Sequence, residues 1–319
     1  MNEDTENRID SSVVPQTDVD VVIPCFGNYE RLPETVRSVL EQDARIGTVV
    51  LSDDGSGKPF PEAVLALIAS SKIPYIVRQN ENNEGTVRHL NQAAALCRSR
   101  YVKFLSPGDT FLLPSSLSLL VGFADRHTDA PAVTSRARIC GPSFEVDYYV
   151  FPQQWRKKLF DGGQFESLCR FNFISAAGSL YRRDFFQCLG GFDTDYRLLE
   201  DWPAWLRLTR AGYGIPCLWE VTCCYGMGGV SSQNANAYLA PSLRQDMLLC
   251  YEKEILPYAG EFERGIHRGI RYRCDLLKGT GPLSLFLHYP LRHGVFSGKA
   301  AVKILLARLN SKSHKEASK

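Results

Sequence analysis

The chain is short of the signatures that would settle its chemistry at a glance. No Gly-x-Gly-x-x-Gly follows the first apolar strand, where the turn reads Pro24-Cys25-Phe26-Gly27-Asn28. That argues against a dinucleotide-binding dehydrogenase, whose pyrophosphate needs those glycines. Neither a Gly-x-x-x-x-Gly-Lys-[Ser/Thr] loop nor a Gly-x-Ser-x-Gly elbow occurs, which weakens P-loop ATPase and α/β-hydrolase readings. The ten cysteines contain no Cys-x-x-Cys pair, so they read as small buried hydrophobes in a reducing compartment rather than metal ligands or disulfides. No apolar run approaches the ~18 residues of a membrane-spanning helix. Residues 1–18 are polar and acidic, without the basic start and apolar stretch of a signal peptide. They are expected to form a disordered leader on a cytoplasmic protein.

What is present is an ordinary globular composition over 319 residues, enough for one large α/β domain with an appendage. The net charge of +2 conceals an asymmetry. From Arg264 to Lys319 there are twelve Lys/Arg against two Asp/Glu, and the remainder carries 25 against 33. A basic tail on an acidic body suggests an anionic partner for the tail.

The first 125 residues alternate strand and helix patterns. Val19–Pro24, Thr48–Ser52, Pro74–Arg78 and Tyr101–Leu105 are β-branched or apolar runs. Helical spacing is expected from Asn28 to Gln42, near 61–71, over Thr86–Ser99 and over Leu113–Asp125. Such alternation predicts a mostly parallel sheet flanked by helices, with ligands at the carboxyl ends of its strands. The turns after Pro24, Ser52 and Leu105 are therefore expected to converge. The middle is less regular, with strand-like pieces at Ala132–Ile139, Glu145–Val150, Ser175–Tyr181 and Ile215–Thr222. Tyr225–Asn236 reads as a mobile Gly/Ser loop. Helices are expected over Leu243–Leu256, 260–277, 283–288 and 298–309.

Three carboxylate positions stand out. Ser52-Asp53-Asp54-Gly55-Ser56 closes a strand, where the acids either make the turn or accept hydrogen bonds from a ligand. Asp109 follows a strand and the Pro107-Gly108 turn, a place for a plain turn residue or for a ligand to a divalent ion carrying a diphosphate. Glu200-Asp201 opens an amphipathic stretch containing Trp202, Trp205, Leu206 and Leu208, where acids also suit the helix dipole.

Taken in order, these pieces resemble family 2 glycosyltransferases, the inverting GT-A-fold enzymes. Val21-Val22-Ile23-Pro24-Cys25-Phe26-Gly27-Asn28, with Leu32 and Ser38–Gln42, resembles that family's opening. Ser52-Asp53-Asp54-Gly55-Ser56 matches its DDGS turn, and Gln79–Gly85 with Arg88 and Asn91 resembles its next segment. Gly190-Gly191-Phe192-Asp193 followed by Glu200-Asp201-Trp202 and Trp205-Leu206-Arg207 resembles its GGFD…ED block.

The resemblance implies a GT-A, Rossmann-like domain over 19–240 and a basic helical extension over 241–319. It implies that Pro24, Phe26, Asp53, Asp54, Gly85 and Arg88 bind the nucleotide, with Phe26 on the base where the family usually has Tyr. Asp109 is the implied ligand for Mn²⁺ or Mg²⁺, although Ser106 and Gly108 replace two usual carboxylates of the metal motif. Asp201 is the implied general base, with Glu200, Trp202 and Trp205 at the acceptor; core packing is the plain alternative for both tryptophans. The implied activity is transfer of a sugar, from a UDP-sugar by expectation, to a glycan or lipid-linked acceptor in surface polysaccharide synthesis. A relative without turnover, acting as a nucleotide-binding or membrane-surface scaffold, is the alternative.

In the tail, Arg268, Arg271, Arg273, Lys278, Lys299, Lys303 and Arg308 interleave with apolar residues. Basic amphipathic helices of this kind lie on anionic membranes or pack on their own domain. No nucleic-acid-binding motif is present, so nucleic acid is not an expected partner.

Overall fold

Val19–Cys25 forms β1, and all its residues but Pro24 are buried, as a central strand covered on both faces requires. The computed structural model describes residues 18–27, 29–140, 148–149, 159–160, 162–226 and 241–294. After β1 come α1 (Leu32–Leu40), β2 (Ile46–Asp53), α2 (Glu62–Ala69), β3 (Tyr75–Gln79), α3 (Thr86–Ala94) and β4 (Tyr101–Phe104). β1 pairs in parallel with β2 and β4, and β2 with β3. The carboxyl ends of these strands therefore share one edge, which carries the turns at Phe26, Asp54 and Ser106.

The second half departs from the expected parallel pattern. It contains β5 (Thr110–Phe111), α4 (Ser116–Arg126), β6 (Ala132–Cys140), β7 (Tyr148–Tyr149), α5 (Gln164–Arg170), β8 (Leu180–Arg182), α6 (Arg183–Cys188), α7 (Asp201–Arg210) and β9 (Cys217–Gly226). The strand order is β3-β2-β1-β4-β8-β6-β9-β5, with β7 on β6. β8 runs antiparallel to both β4 and β6, whereas β6 and β9 are parallel. The sheet is thus mixed beyond β4.

Buried polar groups explain where elements stop short of the periodic pattern. The helix expected to Ser99 ends at Ala94, because buried Asp20 accepts hydrogen bonds from the Arg98 and Ser99 N–H groups and from the Ser99 hydroxyl. The strand expected from Ser175 begins at Leu180, because the turn before it offers the Ala177 and Ser179 carbonyls to Lys103 Nζ. Lys103 is wholly buried and burial pushes its pKa down; those carbonyls meet the cost of an enclosed ammonium. Of the expected strand at 145–150, Tyr148–Tyr149 is described. The expected helix at 298–309, the expected leader at 1–18 except for Asp18, and the loop beyond Gly226 lie outside the described residues.

The C-terminal extension packs as part of the main core. It comprises α8 (Pro241–Cys250), a π turn at Tyr251–Ile255, a 3-10 segment at Leu256–Glu261, α9 (Arg264–Leu277) and α10 (Pro282–His288). Cys250, Tyr251, Ile255, Ala259, Ile270 and Cys274 belong to the same buried cluster as Trp202, Trp205 and Leu206. On the other side of the cluster, Phe104, Tyr181, Phe185, Phe186 and Phe192 form an aromatic group in which Tyr181 stacks on Trp205 at 5.4 Å and 10°. This stack fixes α7 against the sheet and so fixes where its first residue, Asp201, is placed.

Candidate active site

The turn after β2 is built from the two aspartates. Asp53 is buried and accepts hydrogen bonds from the Tyr29 hydroxyl at 2.8 Å, the Ser56 N–H at 2.8 Å and the Ser56 hydroxyl. Ser56 Oγ in turn accepts the Gly27 N–H at 2.7 Å. Asp53 thereby ties the turn to the loop that carries Phe26, and the arrangement pushes the Tyr29 phenol up to about 12, mainly through burial. Phe26 itself is 57 % exposed and makes no ring contact among the described residues. Pro24 lies half-buried opposite Ser52 in the β1–β2 ladder.

Asp54, also buried, reaches the other way. Its Oδ1 accepts from Asn80 Nδ2 at 2.9 Å and the Glu84 N–H at 3.0 Å, and its Oδ2 accepts from the Gly85 N–H at 3.0 Å. Three of its lone-pair positions are used inside the protein, and one stays open. Gly55 is required directly after the two acids: it has φ +77°, and a Cβ there would sit 2.5 Å from the Asn82 carbonyl carbon. Buried His89 adds a hydrogen bond to Ser52 Oγ at 2.7 Å, with burial pushing its pKa down. Arg88, the implied diphosphate contact, is exposed and makes no hydrogen bond or ion pair among the described residues.

A continuous path leads from this turn to the Glu200-Asp201 pair. Gly85 packs so closely on Arg197 that a Cβ would lie 2.8 Å from the Arg197 carbonyl oxygen. The Val87 N–H donates to that same oxygen at 3.2 Å. Asn91 clasps the turn upstream, donating to the Phe192 carbonyl and accepting its N–H, both at 2.8 Å. The N–H groups of Arg197, Leu198 and Leu199 all converge on Asp246 Oδ2, within 3.0 Å. Asp246 is buried and comes from α8, so the C-terminal extension sets the strap that delivers Glu200 and Asp201.

Asp201 Oδ2 accepts a hydrogen bond from Asn172 Nδ2 at 2.9 Å, and Oδ1 accepts the Trp202 N–H at 2.6 Å. Burial raises the pKa of both acids. Glu200 is pushed up to about 8, by burial first and then by the Asp201 charge, with Asp246 adding to it. Asp201 is raised by burial but drawn back by Asn172 and by backbone N–H groups. The two acids thus sit in unlike surroundings: the Asp201 charge raises Glu200 further, while Asn172 and backbone N–H groups favour the ionised form of Asp201. A half-buried carboxylate of raised basicity, held by two donors and reachable from solvent, suits proton abstraction from a hydroxyl.

The tryptophans require a correction. Trp205 is fully buried on Tyr181, and Trp202 is 4 % exposed, donating from Nε1 to the Leu168 carbonyl at 2.9 Å and meeting Tyr251 edge-on at 5.5 Å. Neither presents a face to an acceptor. Helical spacing placed both on the apolar side of α7, and that side faces the core.

Asp109 sits in the turn after β4, buried, with Oδ1 accepting the Gly226 N–H at 2.8 Å. Thr35 Oγ1 accepts the Gly108 N–H at 2.9 Å and donates to the Asp109 carbonyl at 2.8 Å, which locks this turn to α1. The donor set does not fit a resident divalent ion. Asp109 is the one carboxylate of the turn and has an oxygen already engaged; Ser106 and Gly108 supply no second. Among the described residues no three His, Cys, Asp or Glu side chains gather as metal ligands.

A nucleotide-type α/β sheet with its acidic turns on one edge, opposite a helix opened by Glu-Asp, defines a GT-A-like protein. Glycosyl transferase family 2 matches residues 20–190, more than half of the chain, and the chain belongs to that family. The matched span ends before Glu200. An uncharacterized protein of Mycobacterium tuberculosis is 27 % identical over 201 residues, covering 60 % of this chain and 61 % of that protein. Among solved structures, S. aureus TarS 1–349 in complex with UDP-GlcNAc superposes with a TM-score of 0.56 at 17 % identity, over 85 % of this chain and 75 % of that one. The mannosyltransferase PcManGT from Pyrobaculum calidifontis, in complex with GDP-Man and Mn²⁺, gives a TM-score of 0.58 at 16 % identity, over 92 % and 80 %. The chain spans 43 % of a longer TarS chain. These likenesses establish a shared fold.

Proposed function

We propose that the chain is an inverting glycosyltransferase. It moves a sugar from a nucleotide-diphosphate donor, a UDP-sugar by expectation, to a hydroxyl of a glycan or lipid-linked acceptor in surface polysaccharide synthesis. The observation that carries this reading is the run of contacts from Asp54 to the Gly85 N–H, from Gly85 packed on Arg197, and along the Asp246-held strap of Arg197–Leu199 that leads into Glu200 and Asp201. It holds a nucleotide-type turn and a candidate base in one fixed frame. In this reading Phe26 stacks on the base, the open lone pair of Asp54 accepts from it, and Arg88 meets the diphosphate. Pro24, Asp53 and Gly85 shape the pocket, and Glu200 lies at the acceptor.

Asp201 takes the proton of the acceptor hydroxyl as its oxygen attacks the anomeric carbon from the face opposite the diphosphate. The bond from that carbon to the phosphate oxygen breaks, and its electron pair leaves with the nucleoside diphosphate. A single displacement inverts the configuration. Mn²⁺ or Mg²⁺ arriving with the donor would rest on Asp109 alone among the carboxylates of its turn.

The test is a transfer screen over a panel of nucleotide-sugars with the wild type and Asp201→Asn. Turnover by the wild type, its loss in the variant and retained nucleotide binding are expected; unchanged turnover in the variant sinks the base assignment. The reduced 106–109 turn favours a second reading, a nucleotide-binding relative without turnover. Transfer of any sugar in the panel overturns it.

The extension supports a place at the inner face of the cell membrane. Leu283, Leu287 and Leu291 are 75 %, 70 % and 85 % exposed, Phe286 is exposed as well, and Arg268 and Arg292 tie this stretch to α9 by bonds to the His288 and Gly265 carbonyls. Exposed apolar side chains close to cations suit an anionic interface. Among the described residues no helix is long and apolar enough to cross a membrane. Co-sedimentation with anionic vesicles that survives Ser at 283, 287 and 291 together would exclude this surface.

A further inference from the structure

Lys103 is the one charged side chain of β4. Its neighbours in the strand, Tyr101, Val102 and Phe104, are apolar or aromatic and buried, and Lys103 itself has no exposed surface. Enclosing an ammonium is costly unless its N–H groups are bonded. Here they donate to the carbonyls of Ala177 and Ser179, the latter at 3.1 Å, so both acceptors are backbone oxygens rather than carboxylates. The Asp109 charge favours the ammonium, and burial opposes it more strongly. The turn that Lys103 holds is pinned from two further strands. Cys223 Sγ of β9 donates to the Ala177 carbonyl at 3.1 Å, and Ser135 Oγ of β6 donates to the Gly178 carbonyl at 3.1 Å. Gly178 leaves no room for a side chain, because a Cβ there would lie 2.5 Å from the Ser135 carbonyl oxygen. The Ser179 hydroxyl and the Gly178 N–H both donate to the Ser175 carbonyl, at 2.6 Å and 3.1 Å, which closes the turn at its first residue. Ser175 follows Ile174, whose N–H donates to Asn172 Oδ1 at 3.3 Å. The other end of that amide, Nδ2, donates to Asp201 Oδ2 at 2.9 Å. With its oxygen fixed by Ile174, the Asn172 amide presents its nitrogen in one direction. The place of the turn therefore sets the aim of the donor at Asp201.

We propose that Lys103 is a positioning residue for the candidate base: by fixing the 175–179 turn, it holds the Asn172 amide on Asp201. The inference rests on the reading of Asp201 as the base and adds a residue that acts on it from the core. Stability alone does not select an enclosed ammonium, since well-packed apolar replacements of buried charges are often neutral or stabilising. What the ammonium supplies is a fixed point. Hydrogen bonds from a charged donor are about twice as strong as those between neutral groups, and two of them converge on one turn. A misplacement of a fraction of an ångström at Ile174 would be passed to Asn172 and so to the carboxylate, where geometry governs the rate of proton abstraction. Lys103 itself touches neither donor nor acceptor and exchanges no proton with them.

The experiment follows release of UDP or GDP from a panel of UDP- and GDP-sugars by the full chain. Affinity for UDP and GDP is measured by calorimetry, and folding is checked by thermal melting. The wild type is compared with Lys103→Met, Asn172→Ala and the two together. Lys103→Met is expected to lower the turnover rate roughly tenfold or more, with nucleotide affinity within about threefold of the wild type. In the Asn172→Ala background the same change is expected to cost less than about threefold, because the bond it aims is already gone. Ser179→Ala frees the Ser175 carbonyl without altering the ammonium. It is expected to give a smaller loss with the same dependence on Asn172, and it carries the test if Lys103→Met does not melt cooperatively. Losses that multiply in the double variant, a loss that falls on nucleotide affinity, or unchanged turnover in the folded single variant overturn the assignment to Lys103 while the donor reading stands. A wild type that releases no nucleotide from any sugar overturns the two together.

Discussion

Asn172 Nδ2 donates to Asp201 Oδ2 at 2.9 Å, although the two residues belong to a loop and a helix 29 positions apart. Hydrogen bonds to a charged group are worth about 1.5–3 kcal/mol. This one favours the ionised carboxylate that proton abstraction needs. Asn172→Ala should reduce kcat by roughly tenfold or more, with little change in donor KM. Without the bond the pKa of Asp201 rises, so the acidic limb of the kcat/KM profile should move to higher pH. A profile that keeps its position while kcat falls would assign Asn172 a purely structural part.

Glu200 contributes to stability with a defined sign. Burial raises its folded pKa from 4.5 to about 8. Between those values the native state holds a proton that the unfolded chain has released, so stability falls as pH rises through that window. Glu200→Gln removes the dependence. Thermal melting from pH 5 to pH 8 should give a flatter curve for the variant than for the wild type.

Asp246 gathers the N–H groups of Arg197, Leu198 and Leu199 and lies on a helix outside the span matched by the family. Asp246→Ala leaves three backbone donors without their acceptor, a loss of about 2 kcal/mol or more. A lower melting temperature is expected together with a fall in kcat, because the strap entering Asp201 loosens. Asp246→Asn retains one acceptor oxygen and should recover part of both.

Trp202 and Trp205 offer a test that separates packing from acceptor binding. Trp205→Ala empties a fully buried site and should cost about 3–5 kcal/mol. Trp202→Phe forfeits the hydrogen bond to the Leu168 carbonyl and should cost about 1 kcal/mol. Melting should register both, and acceptor KM measured on the folded Trp202→Phe protein should be unchanged.

The strand–helix alternation up to Arg126, the parallel start of the sheet and the family were legible in local patterns, because hydrophobic periodicity and turn residues are properties of short segments. So were the acidic turns at Asp53-Asp54 and Asp109 and the Glu200-Asp201 pair, each marked by its place after a strand or before a helix. Tertiary structure decided the rest. Nothing in the run around Asn172 announces a partner for Asp201, and Asp246 reads as an ordinary acid of an extension helix until the chain folds back. Helical spacing gave Trp202 and Trp205 an apolar face, but only the packing against Tyr181, Leu168 and Tyr251 showed that this face is core. Arg31 looked like any charged residue at a helix start. Its meeting with Gly108 and Gly226 joins three distant segments, and contacts between distant segments leave no periodicity in the sequence for a local reading to find.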